Sequence, residues 1–330
     1  MLPKFSYIRP ATLDEAITQL SKGDATVHAG GTDLLGCLRE RIIQSGTVVS
    51  ISAVETLRGI RKAGNGGLHI GALTTITELS ESDMVATKYP GLSQAAGEVA
   101  SPQLRNQGTV GGNLCQKPRC WYYRGEFHCR RKGGDICYAL GGENQFHAIL
   151  GHDSICAITH PSDTAPVFVA LNAKVGVSGP KGKRTLAVEK LHVPPSQDAT
   201  RETVLEQGEI LTHIIVPPLP QGAYISYRKV RARRSWDFAL AGAALLLVPA
   251  ENGNITEAAV VLSGAAPVPW RSRAAEKALK GKELNAATIA EAASAAMEEA
   301  MPLRDNGYKM AMFRGMLEEE LFRASEQLKA

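Results

Sequence analysis

The sequence predicts an α+β protein of two domains, and three observations predict it. Strand-like and helix-like runs follow one another in small mixed units over the first two hundred or so residues. A proline run, Pro217-Pro-Leu-Pro220, then separates them from a second strand-rich set. Between Cys115 and Cys156 the pattern stops, in 42 residues that hold five of the six cysteines.

The elements follow in order. Thr12-Leu-Asp-Glu15 is a capping box, and Leu13, Ala16, Ile17 and Leu20 repeat at helical spacing behind it. Ala25 to Ala29 reads as a strand feeding the Gly30-Gly31 turn. Leu34 to Ile43 reads as a helix and Val48 to Ile51 as a strand. Leu68 to Ala72 is a strand leading into a helical Thr75–Ser80, and Gly91 to Ala100 is a helix stopped by Ser101-Pro102. After Pro161, residues Pro166 to Leu171 continue an apolar helical face. Lys174–Ser178, Arg184–Val188 and Ile210–Val216 read as strands. Beyond the prolines, Tyr224–Val230, Ala239–Val248 and Glu257–Ser263 read as sheet strands. From Arg273 the chain turns helical, with Asn285 able to cap one helix and Asp305 or Asn306 another. Met310, Met312, Phe313, Met316 and Leu317 form an apolar stripe best read as core.

Bulk properties exclude several classes. With 330 residues and 44% apolar content, the chain can bury a sizeable core. A net charge of +4 without a dense basic stripe argues against nucleic-acid binding. The start, Met1-Leu-Pro-Lys-Phe-Ser-Tyr7, has no apolar signal-peptide core. The longest apolar run, Phe238 to Ala250, is too short to span a bilayer. The expectation is a soluble, cytoplasmic protein without membrane insertion. The alternative is periplasmic export with a partner that carries the signal.

Two glycine turns can hold the diphosphate of a nucleotide cofactor, because glycine lets backbone N–H donors approach closely. One is Ala29-Gly-Gly-Thr-Asp33; the other is Gly108-Thr-Val-Gly-Gly-Asn113. Thr32, Thr109 and Asn113 can add side-chain donors. Neither turn matches G-x-G-x-x-G, and the P-loop, G-x-S-x-G and H-E-x-x-H motifs are absent. A Rossmann domain and a serine hydrolase are therefore disfavoured.

Four cysteines, Cys120, Cys129, Cys137 and Cys156, are separated by eight, seven and eighteen residues. Four thiolates can hold an iron–sulfur cluster or zinc. Zinc ligands commonly pair as C-x₂₋₄-C, which none of these does, so the spacing favours iron–sulfur. Lys117, Arg119, Arg124, Arg130, Arg131 and Lys132 stand against Glu126 alone, a basic surround that would offset a cluster's negative charge. Gly133-Gly134 could add N–H donors. An unpatterned stretch of this length needs something to order it, and a cluster bound at four points would do so. Cys115 is best read as a small packed residue and Cys37 as a buried thiol. His128, His147, His152 and His160 are expected in structural or surface roles. Asp163 has the chemistry to accept hydrogen bonds from a flavin.

Ala29-Gly-Gly-Thr-Asp33 and Gln103-Leu-Arg-Asn-Gln-Gly-Thr-Val-Gly-Gly-Asn-Leu114 resemble the FAD subunits of the xanthine dehydrogenase family, the medium subunits of molybdenum hydroxylases. The resemblance spans nearly the whole chain. It implies a vanillyl-alcohol-oxidase-type (PCMH-type) FAD-binding domain over residues 1–219, with subdomains of about 1–57 and 58–219. A C-terminal α+β domain of the CO dehydrogenase flavoprotein type would cover 220–330. The cysteine insert at 115–156 is similar to a narrower branch. That branch includes the FAD subunit of periplasmic aldehyde oxidoreductase and the β subunit of 4-hydroxybenzoyl-CoA reductase, both with an additional 4Fe–4S cluster. The resemblance places Cys120, Cys129, Cys137 and Cys156 on the ligands and leaves Cys115 out.

It also assigns flavin contacts. Ala29, Gly30, Gly31, Thr32, Asp33, Leu34 and Leu35 would cradle the diphosphate. Gly108, Thr109, Gly111, Gly112 and Asn113 would form the other half of the cradle. Asp163 would reach the ribityl or ring side, and Lys229 would approach the cofactor. The implied function is electron transfer within a heterotrimer. A large molybdenum-cofactor subunit and a small 2Fe–2S subunit would be partners, with an external electron carrier beyond them. No catalytic residue is expected in this chain itself. Two rival readings remain: a self-contained FAD oxidoreductase, and a zinc-stabilised interaction module.

Overall fold

The computed structural model describes every residue except Ser235 and Ala330. Three sheets organise the chain. The first joins β1 (Ser6–Ile8), β2 (Ala25–His28) and β3 (Thr47–Ser50), all parallel, in the order β1-β3-β2. Its crossover helix, Leu13–Leu20, starts at the expected capping box: Thr12 Oγ1 accepts from Glu15 N–H, and the Glu15 carboxylate accepts from Thr12 N–H. Ala16 and Leu20 then pack on Val49 and Ile51 in a small separate core. The helix expected over Leu34–Ile43 is shorter, Leu34–Arg39. Arg41 lies at φ 56°, a left-handed backbone that ends the helix.

The second sheet is antiparallel and follows the order β4-β5-β8-β6-β7. It comprises β4 (Ile60–Lys62), β5 (Leu68–Gly71), β6 (Lys174–Gly179), β7 (Gly182–Ala187) and β8 (Ile210–Val216). Everything between β5 and β6 is one long excursion. It contains the Pro90–Gly97 and Thr164–Ala170 helices, the second glycine turn and the cysteine segment.

The third sheet, β12-β11-β10-β9, is also antiparallel. Its strands are β9 (Tyr224–Val230), β10 (Ala241–Pro249), β11 (Ile255–Ser263) and β12 (Trp270–Arg271). Strand β10 shows why its sequence is a continuous apolar run. Ala244 and Leu246 face the core that holds Leu92 and Phe168, while Ala243, Leu245 and Leu247 face the C-terminal helices. With side chains alternating between faces, a strand covered on both sides must be apolar throughout. This shared core couples the C-terminal sheet to the excursion of the second sheet.

The C-terminal helices are Arg273–Leu279, Ala286–Ala295 and Tyr308–Lys329. Asn285 caps the second, as expected, by accepting from Thr288 N–H. Asn306 does not cap the third. Its side chain accepts from Leu303 N–H and donates to the carbonyls of His147 and Ala148. Phe313, Met316 and Leu317 of the apolar stripe are buried core. Among the described residues, no helix is long and apolar enough to cross a membrane.

Candidate functional site

The two glycine turns, some eighty residues apart in sequence, touch. A Cβ on Gly30 would fall on the Gln107 carbonyl, so only glycine allows the turns to meet. Gly31 sits at φ +72°, and a Cβ there would lie 2.7 Å from His28 Nε2. Among the described residues, the backbone N–H groups of five successive residues, Gly30 to Leu34, have no acceptor within the protein. Such a run of oriented donors is an anion-binding concavity. The second turn behaves differently. Val110 and Gly111 donate to the carbonyls of Thr74 and Ala72, and Gly112 N–H donates to Thr109 Oγ1. It meets the first turn where Gly30 lies against Gln107 and Gly108.

Asn113 ties the second turn to the next predicted position. Its Oδ1 accepts from Ser162 Oγ at 2.5 Å and from Thr164 Oγ1 at 2.8 Å. Between those two residues, Asp163 is buried at the start of the Thr164–Ala170 helix. It accepts from Lys229 Nζ at 2.8 Å and from Tyr227 Oη at 2.7 Å, both on β9. Lys229 Nζ also donates to the Glu98 carbonyl. Burial raises the Asp163 carboxyl above its ordinary range, against the opposing pull of Lys229 and Tyr227. The expected Asp163 and Lys229 are therefore direct partners, and their ion pair bridges the two domains. Tyr227, the third member, was not among the expected site residues; its place beside Lys229 at alternate strand spacing is the only signal for it.

Cys120, Cys129, Cys137 and Cys156 line one cavity, together with Tyr122, Tyr123, Arg130, Arg131, Tyr138 and Ile158. Cys115 is not in its wall; it packs against the main core. Backbone N–H groups point at three of the sulfurs: Tyr122 and Tyr123 at Cys120, Ala139, Leu140 and Ala157 at Cys137, and Ile158 at Cys156. The Cys156 thiol donates to Cys137, which holds Cys137 down at about 6 and pushes Cys156 up. Burial raises Cys120 to about 11. Among the described residues, no three His, Cys, Asp or Glu side chains converge as a single metal ion requires. The four cysteines line a common space.

The basic surround is not what the local sequence suggests. Arg119 and Arg124 pair with Asp33 at 3.0 and 2.8 Å, and Lys117 N–H donates to the same carboxylate. Burial alone would raise Asp33; these partners outweigh it and hold its carboxyl below the usual range. Arg131 and Lys117 pair with Glu202 at 3.0 and 2.6 Å. Two carboxylates distant in sequence thus pair with four of the six cations. Asp33 faces the cysteine segment, locking it to the first glycine turn. Cys37, buried, accepts from Arg124 Nη1, and burial pushes its thiol to about 11.

Histidines fix the far side. His152 meets the Met301 carbonyl, and His160 Nε2 lies 2.9 Å from His192 Nε2, which reaches the Leu114 carbonyl. His147 differs, with its Nε2 3.2 Å from Cys120 Sγ. Residues 144–150 form a strap over the C-terminal domain, where Ile149 and Leu150 enter the core. Lys309, fully buried, donates to the carbonyls of Phe146, His147 and Gly264 at 3.2, 3.0 and 2.8 Å. Burial drives Lys309 down toward about 7. Burial, and then the Lys309 charge, lower His147 to about 4, so its ring is neutral at physiological pH.

Comparison with known proteins identifies the two domains that carry these residues. Residues 3–219 match the FAD binding domain in molybdopterin dehydrogenase, and residues 225–326 match the CO dehydrogenase flavoprotein C-terminal domain. The aldehyde oxidoreductase FAD-binding subunit PaoB of Escherichia coli K12 is 34% identical over 328 residues, covering 98% of this chain and 99% of that protein. The carbon monoxide dehydrogenase medium chain of Hydrogenophaga pseudoflava is 30% identical, covering 97% of this chain and 96% of that one. A solved structure of the Hydrogenophaga enzyme superposes with a TM-score of 0.77 at 28% identity, over 97% of this chain and 96% of that chain. Quinoline 2-oxidoreductase of Pseudomonas putida 86 shares the fold, with a TM-score of 0.77 at 23% identity over the whole of both chains. This chain belongs to the FAD-binding family of the molybdopterin dehydrogenases, with the C-terminal domain of the CO dehydrogenase flavoproteins.

Proposed function

We propose that this oxidoreductase subunit carries FAD and one 4Fe–4S cluster and relays electrons within a heterotrimeric molybdenum hydroxylase. The large partner would hold the molybdenum cofactor and the small one 2Fe–2S clusters. An external carrier would complete the path. The domain division is 1–219 and 220–330. The observation that carries the reading is the pairing of five unpartnered N–H groups at Gly30–Leu34 with a four-cysteine cavity anchored to the same turn through Asp33.

The residues fit both groups. Gly30 to Leu34 would hold the diphosphate through the backbone, with Ala29 and Leu35 flanking it. Gly108, Thr109, Gly111, Gly112 and Asn113 would form the other half of the cradle. Asp163 and Lys229, locked together, form the far edge of the cradle. The cysteines suit a cluster better than zinc, because four thiolates on a cubane meet four separate irons, whereas four on zinc converge at about 2.3 Å. N–H groups aimed at the sulfurs stabilise their negative charge. When bound, the flavin exchanges electrons in pairs and passes them singly to iron–sulfur centres, while the protein supplies placement and tuning.

The test is anaerobic purification of the tagged chain from its native host. The expected preparation contains FAD, iron, and two partners carrying molybdenum and 2Fe–2S clusters. A lone chain that oxidises substrate at full rate would overturn the relay and support a self-contained FAD oxidoreductase. A colourless preparation with zinc would support the interaction module instead.

A further inference from the structure

We infer that His147 is a positioning residue for the cluster, setting its reduction potential through Cys120, and that the C-terminal domain holds it there. This rests on the 4Fe–4S reading above. His147 Nε2 lies 3.2 Å from Cys120 Sγ. A cluster-bound thiolate can only accept a hydrogen bond, so Nε2 must carry the ring proton. Nδ1 is buried without a well-formed hydrogen bond, although the Asn144 backbone lies close enough to the ring to favour its proton. The ring is positioned by what surrounds it.

The surrounding contacts are visible. The His147 carbonyl accepts from Lys309 Nζ at 3.0 Å and from Asn306 Nδ2 at 3.2 Å. The neighbouring Phe146 and Ala148 carbonyls accept from the same two side chains. Trp121 and Tyr122, which flank Cys120 in sequence, place their rings 6.1 Å from the imidazole. These four hydrogen bonds fix the backbone of the strap, and the Trp121 and Tyr122 rings sit beside the imidazole it carries. A side-chain donor at one ligand sulfur adds to the backbone donors of Tyr122 and Tyr123 on the same atom. Hydrogen bonds to cluster sulfurs raise the potential, so this domain sets the cluster's energy from outside the cysteine segment.

The experiment is an EPR-monitored redox titration of the purified complex, with iron and FAD measured in each sample. His147→Phe keeps the ring bulk and removes the donor; His147→Gln restores an amide donor. The cluster potential should fall in His147→Phe at unchanged iron content and return toward the wild-type value in His147→Gln. Lys309→Met should shift it in the same direction as His147→Phe. An unchanged potential in His147→Phe at full iron content overturns the inference. If His147→Phe loses its iron, His147→Gln decides: a cluster at wild-type potential supports the donor role, and a lowered potential or lost cluster overturns it. Absence of iron from the wild-type complex would instead defeat the cluster reading itself.

Discussion

The two halves of the site are built by different physics. The glycine cradle is fixed by sterics: turns meet where no Cβ can stand, backed by apolar residues such as Val110 and Leu114 in the main core. The cysteine segment has only three short helical turns, Trp121–Arg124, Arg130–Lys132 and Tyr138–Gly141, and one isolated bridge between Cys129 and Ile136. It is held by long-range polar anchors: Asp33, Glu202, Asn306 and Lys309. The comparison teaches that the glycine turns are held by close packing within the protein, whereas the cysteine segment rests on its polar anchors.

The largest test of that contrast lies where the two halves meet the C-terminal domain. Lys229→Met leaves Asp163 buried without its cation, which should cost about 3–5 kcal/mol of stability. Thermal and denaturant unfolding would measure it. A loss below about 1 kcal/mol would show that the shared apolar core alone joins the domains.

Gly30→Ala should come next. The new methyl meets the Gln107 carbonyl, so the turns must part, at about 1–3 kcal/mol. FAD content should fall while iron is retained. Equal loss of both would show that the Asp33 anchor makes the cysteine segment depend on the first turn.

Lys309 gives a pH test of the anchors. Its native value is pushed below the unfolded 10.5, toward about 7, so between those values the unfolded chain binds the extra proton. Stability should therefore rise with pH across that window and be least below it. Relative to Lys309→Met, the rise should be on the order of 1–2 kcal/mol, reduced from the full shift because three carbonyls favour the ammonium form. A flat difference between the two proteins would mean that the three carbonyls offset burial in full and that Lys309 anchors the strap as an ammonium across the window.

The smallest effect is expected from Thr109→Val, which removes the cap on Gly112 N–H. It should cost about 1 kcal/mol and weaken FAD retention modestly. No change in either would mean that the second turn needs no bracing of its own.

The fold was legible wherever local rules governed it. The Thr12 capping box, strands β8 and β9 and the Asn285 cap stand where periodicity and capping chemistry put them. The glycine turns were legible as candidates, though their contact was not, because it joins Gly30 to Gln107 across the excursion. Charge was misleading for the same reason. Lys117, Arg119, Arg124 and Arg131 look unbalanced in sequence, yet Asp33 and Glu202 reach them from elsewhere. His147 was indistinguishable from His152 and His160 by sequence, since its partner Cys120 meets it through a strap held by residues distant in sequence, Lys309 and Asn306 among them. Among helix ends, the Leu34 helix stopped early at a left-handed Arg41 that no local pattern marks.

The most direct test of the account is metal and flavin stoichiometry in single cysteine variants. Wild type, Cys37→Ser and Cys115→Ser should each hold about four iron atoms per chain, as expected for ligation by four thiolates. Each of Cys120→Ser, Cys129→Ser, Cys137→Ser and Cys156→Ser should lose that iron, with cleavage by a protease appearing first within residues 115–156. The contrary result would be zinc in place of iron, or a cluster that survives Cys156→Ser and is lost in Cys115→Ser.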